Sequence, residues 1–122
     1  MINALFVGAG GFIGAVMRYV MGQIPLPIKG GFPIMTLVIN ILGAFLIGII
    51  SAAAGKYFNL DSRMVLFIKT GICGGFTTFS TFSLECSDLL STGKQGYAVV
   101  YMVLSVVCCI LAVWAGKQIV GV

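Results

Sequence analysis

The chain has 122 residues, 60% of them hydrophobic and 8% charged, with no histidine and a mean hydropathy of +1.15, whereas soluble domains average about 25% charged. Seven Lys/Arg against three Asp/Glu give a net charge of +4, but the basic residues are scattered singly, so the clustered footprint of a nucleic-acid binder is missing. With no His and only Asp61, Glu85 and Asp88 as carboxylates, a His-dependent triad, a His-ligated haem and a carboxylate-rich metal cage are excluded, and an enzyme is not expected.

A helix needs about 20 residues to cross a hydrocarbon layer of about 30 Å. Four such spans fit the chain, at 2–22, 32–55, 63–90 and 96–118, within a single domain covering 1–122. An open sheet cannot cross lipid, and the continuous apolar runs lack the dyad alternation of barrel strands. The expected fold class is therefore an all-α membrane protein of four transmembrane helices.

The first span lacks a basic n-region and runs on to Gly22, so it reads as a retained helix and not as a removable signal peptide. It carries a GxxxG at Gly10 and Gly14 and reaches Arg18 near its end. Pro25, Pro27, Gly30 and Gly31 then break the helix in the connection 23–31. The second span holds Asn40 and a small-xxx-small pair, Ala44 and Gly48. After the connection 56–62, the third span carries Lys69 almost two turns in and a second GxxxG at Gly71 and Gly75. The fourth follows the short connection 91–96. Cys73, Cys86, Cys108 and Cys109 lie in or near apolar segments and form no CxxC, so they read as small packing residues.

Orientation follows the Lys/Arg count on each side of the membrane. Lys56, Arg63 and Lys117 lie on the side of the termini with Lys69 just inside; Lys29 and Lys94 lie opposite, with Arg18 just inside. Counts this close fix no direction, which allows insertion both ways and pairing with an inverted copy; a single weakly biased topology is the alternative.

The third span carries the chemistry. Gly71, Gly74 and Gly75 weaken its helix, and Thr77, Thr78, Ser80, Thr81 and Ser83 bring hydroxyls to membrane depth. A helix broken there frees backbone carbonyls, which lipid tolerates only when they are buried or bound, and a monovalent cation is a natural guest. A kinked helix whose Thr hydroxyls satisfy its own carbonyls is the plain alternative. Phe79 and Phe82, three apart, share a face. Their positive ring edges, beside Ser/Thr hydroxyls and the amide of Asn40, would make a site for a small anion without a full charge to trap it. Ordinary packing for the two rings, and helix-to-helix glue for Asn40, remain open on spacing alone.

Three segments, GGFTTFSTFSLE (74–85), GAVMRY (14–19) and NILGAFLIG (40–48), together resemble the Fluc/CrcB family of fluoride channels. The resemblance covers essentially the whole chain. It implies a homodimer of oppositely oriented subunits in the cell's inner membrane, with two fluoride pores and a sodium ion locked in the interface. It implies that Asn40, Phe79 and Phe82 contact fluoride, that Ser80, Thr81, Tyr101 and Ser105 line the polar path, and that Arg18 sits in an aqueous vestibule. The carbonyls of Gly74 and Thr77 would hold the sodium, and Glu85 would lie where the third span leaves the core. Cys109 stands where some relatives have a second serine, and a thiol is a poor donor.

The implied mechanism is passive leak: fluoride that enters as HF and is trapped as the anion leaves down its gradient. No span is expected to carry the Asp, Glu or His relay that proton coupling uses. A small proton-coupled multidrug transporter would need a carboxylate in the first span, which has none. A purely structural bundle would pass no ions at all.

Overall fold

Four helical spans cross the molecule, at Ile2–Gly22, Ile34–Lys56, Ser62–Ser91 and Gln95–Val120, each long and apolar enough to cross a membrane. The computed structural model describes residues 1–26, 29–57 and 59–121; Pro27, expected as a helix breaker, lies outside them. The chain is an all-helical multi-pass membrane protein, and no strand occurs among the described residues.

Helices α1 (Ile2–Gly22) and α2 (Ile34–Lys56) are continuous. The third span comes in pieces: α3 (Ser62–Val65), a π-helical stretch Leu66–Cys73, α4 (Gly74–Phe76) and α5 (Phe79–Ser91). Asp61 caps α3 by accepting from the Arg63 amide at 2.9 Å. Helix α6 (Gln95–Val120) closes on Gly121, whose left-handed φ of 87° suits glycine. Lys56 Nζ donates to the last α6 carbonyls at Val120, 2.7 Å away, where a cation complements the helix dipole. Across the molecule Lys94 Nζ donates to the Gly30 carbonyl at 2.6 Å and so ties the short turn Lys29–Gly31 to the start of α6.

Lipid offers little hydrophobic drive for helix association, so close packing must supply it. Helix α1 lies against the π stretch and α4, and α2 lies against α6. Both seams are built on glycine. A Cβ on Gly10 would overlap the Phe67 carbonyl and one on Gly14 the Ile72 carbonyl; Gly75 meets the backbone of Gly11. On the other seam Gly48 faces the Val113 backbone and Gly116 the Phe45 carbonyl. The two GxxxG pairs thus face each other, and Gly48 of the small-xxx-small pair faces α6.

These contacts are backbone on backbone, so no rotamer can relieve an added methyl. Gly14→Ala should force α1 off the third span at a cost of about 1–3 kcal/mol. Gly8→Ala meets nothing within 4 Å and should be neutral or slightly stabilising, since Ala is the better helix former by up to about 1 kcal/mol. Thermal loss of the monodisperse peak in detergent separates the two; equal behaviour would show that the seam tolerates expansion.

The four cysteines are free thiols, Cys73 and Cys86 buried, Cys108 and Cys109 half-buried. Lys69 lies half-buried in the π stretch.

Candidate functional site

The break falls at Thr77 and Thr78, midway along Ser62–Ser91, where both residues are extended (φ −79°, ψ 156° and φ −149°, ψ 120°). Helix α5 restarts with Thr78 as its cap: its Oγ1 accepts from the Thr81 amide at 3.2 Å and donates to Thr81 Oγ1 at 3.1 Å. Ser80 Oγ lies 3.4 Å from the same oxygen.

Asn40 of α2 grips the break at two points. Its Nδ2 donates to the Thr78 carbonyl at 3.1 Å, and its Oδ1 accepts from the Thr78 amide at 2.8 Å. The side-chain amide thus pairs with the Thr78 backbone as a second strand would. One N–H of Nδ2 is left over from this pairing. The glue reading of Asn40 is therefore correct in part, and a donor remains for the anion reading.

These side-chain bonds also account for two of the amides that the break diverts from carbonyls of the first half. In an unbroken helix the Gly74 carbonyl would accept from the Thr78 amide, and Thr77 from Thr81. Asn40 takes the first amide and the Thr78 hydroxyl takes the second. Gly74 and Thr77 lose their helical partners for a stated reason. The Gly75 carbonyl instead accepts from Arg18 Nε at 3.2 Å, so Arg18 reaches the break from α1 as a half-buried side chain. The kinked-helix alternative accounts for other groups: Thr77 Oγ1 donates to Cys73 O at 3.0 Å and Ser83 Oγ to Phe79 O at 2.9 Å. Across the break, the carbonyl end of α4 is partially negative, while the first amides of α5 form a partially positive end.

An open-sided cavity of about 450 Å³ faces that positive end. Asn40, Thr77, Thr78, Phe79, Phe82 and Ser105 line it, with Gly43 and Cys109, and among the described residues none that lines it is charged. Ser105 is 8% exposed and its hydroxyl has no hydrogen-bond partner among the described residues. An unpaired buried hydroxyl costs about 1–3 kcal/mol.

Phe79 and Phe82 stand 5.5 Å apart between ring centroids. The rings continue as a ladder: Phe82 meets Tyr101 edge-on at 5.0 Å, and Tyr101 meets Phe32 at 5.5 Å. Tyr101 is fully buried, and its hydroxyl donates to Glu85 Oε1 at 3.1 Å. Thr36 Oγ1 donates to the other carboxylate oxygen, also at 3.1 Å. Glu85 is half-buried within α5, tied to both neighbouring helices. Thr36 and Gly43 escaped the sequence reading. Thr36 lies four residues before Asn40, and Gly43 three after it, so the face of α2 that carries Asn40 was the available signal. A Cβ on Gly43 would overlap the Thr77 methyl at the break.

The Thr70, Gly74, Ser80 and Ser83 positions of the third span are exposed, as is Phe79. Exposed hydroxyls and a bare glycine at membrane depth suit a protein partner better than lipid.

Comparison with known proteins covers nearly the whole chain. A family model described as CrcB-like protein, Camphor Resistance (CrcB), matches residues 5–117. A protein of Ruminiclostridium cellulolyticum named Fluoride-specific ion channel FluC is 47% identical over 120 residues, covering 98% of this chain and 92% of that protein. Proteins of the same name from Agrobacterium fabrum and Shewanella halifaxensis are 44% and 46% identical, covering 95% and 98% of this chain and 94% and 97% of their own lengths.

Proposed function

The chain belongs to the CrcB family, whose relatives are ion channels and not enzymes, and from that membership we propose that it is a fluoride-selective channel of the cell's inner membrane. The ion leaves passively down its electrochemical gradient. The observation that carries this reading is the cavity at the break, lined by Asn40, Phe79, Phe82 and Ser105 and by no charged residue among those described.

A small anion there meets donors that replace water without a full charge that would hold it too long. The spare N–H of Asn40 and the hydroxyl of Ser105 donate. The edges of Phe79 and Phe82 supply positive quadrupole. Ser80, Thr81 and Tyr101 continue the polar path. Arg18, held at the Gly75 carbonyl beside the break, adds a positive potential that raises the local anion concentration. Glu85 is a single carboxylate held by the Tyr101 and Thr36 hydroxyls.

The pore is completed by an inverted second copy in a homodimer with two pores, which would cover the exposed polar face of the third span. A sodium ion in that interface fits the chain: the carbonyls of Gly74 and Thr77 are among those whose helical partners have been taken away. Sodium would supply a fixed charge that ties the two copies together.

Purified protein in liposomes loaded with fluoride or chloride tests this. Fluoride should leave rapidly, read with a fluoride electrode, and chloride should stay. Equal release of both ions, or none of either, would refute the reading.

A further inference from the structure

One residue of the cavity wall has chemistry that anion passage does not use. Cys109 lies four residues after Ser105 on α6, hence on the same helical face, and both line the cavity beside Asn40, Phe79 and Phe82. We propose that the Cys109 thiol is a blocking site for small, neutral, thiophilic reagents, which react with it inside the cavity and stop ion passage. This rests on the channel reading above.

Two independent observations meet here. The thiol is half-buried and stands in the wall of an open-sided cavity. Ser105, one turn away and 8% exposed, lines the same space, and its hydroxyl has no partner among the described residues. The other cysteines differ. Cys73 and Cys86 are 2% and 6% exposed. Cys108 is half-buried but, one residue round the helix, is not among the cavity-lining residues.

The cavity's lack of charged residues selects the reagent. A bare cation such as silver would enter a low-dielectric space with no counter-charge and be excluded. Mercuric chloride is a neutral, linear molecule and small for a space of about 450 Å³. The thiol sulfur displaces one chloride from mercury: an S–Hg bond forms, an Hg–Cl bond breaks, the thiol proton goes to water and chloride leaves. Mercury stays divalent, so no oxidant or reductant is needed. The remaining S–Hg–Cl group projects into the space an ion must cross.

The experiment uses the full-length protein in liposomes, each variant compared with its own untreated fluoride efflux. Mercuric chloride should slow the parent by about tenfold or more, because a narrow path is occluded by one bound group, and excess dithiothreitol should restore it. Cys109→Ser should lose this sensitivity, whereas Cys108→Ser should be blocked like the parent. A parent that conducts and is unaffected, or a Cys109→Ser variant blocked as deeply as the parent, overturns the proposal. A parent that carries no fluoride overturns the channel reading instead. Intact mass then decides the thiol: the same number of mercury adducts on parent and Cys109→Ser would overturn the proposal, and one fewer on the variant would uphold the reactive site.

Discussion

Asn40→Asp should bring fluoride efflux to background while the protein still elutes as a folded particle. The carboxylate keeps an oxygen to accept the Thr78 amide, now 2.8 Å from Oδ1. It loses the Nδ2 that donates to the Thr78 carbonyl and the spare N–H left for the ion. Ionised, it also sets a negative charge against the path. At about 4 Å and an effective dielectric constant near 20, two like charges repel by about 4 kcal/mol, roughly a thousandfold in rate. Asn40→Ser keeps one donor but cannot span both groups of the Thr78 peptide, so it should conduct more than Asn40→Asp and less than the parent. Size-exclusion elution in detergent and efflux from liposomes must be read together. An Asn40→Asp protein of parental assembly and parental flux would remove Asn40 from the ion path.

Phe82→Ile should cut flux by about tenfold to a hundredfold. Isoleucine keeps most of the bulk but ends the edge contact with Tyr101 at 5.0 Å and the tilted ring contact with Phe79 at 5.5 Å, each worth about 0.5–1.5 kcal/mol beyond buried area, along with the ring edge offered to the anion. Because Phe82 also supports Tyr101, Phe79→Ile is the cleaner companion. Phe79 is 79% exposed, so its loss disturbs little of the subunit's own packing. If both variants conduct at the parental rate, the rings serve packing alone.

The four-helix architecture was legible because length and hydropathy decide it, and the break because glycines and hydroxyls crowd one short stretch. The seams were legible as small residues, without their partners. The π-helical stretch Leu66–Cys73 was not; its letters are ordinary for a membrane helix. Nor was the grip of Asn40 on Thr78, or the meeting of Thr36 and Tyr101 on Glu85. These pairs join separate helices, and periodicity within one helix says which residues share a face, not which residue on another helix stands opposite. Glu85 was placed by resemblance at the exit of the span, whereas its role as a node between α2 and α6 depends on that unseen register.

The glycine seams have a mechanical consequence. Where peptide lies on peptide, as at Gly10 against Phe67 and Gly48 against Val113, a helix cannot slide past its neighbour without driving atoms into overlap, and no side chain is present to act as a bearing. The scaffold therefore resists the sliding motions by which many transporters present a site to each side of the membrane in turn. What remains free to move is small: ring flips of Phe79, 79% exposed, and the hydroxyl rotor of Ser80. Such rotations occur on picosecond to nanosecond scales when exposed, far faster than the rocking of a carrier. A frame this stiff suits a path that needs no rocking step.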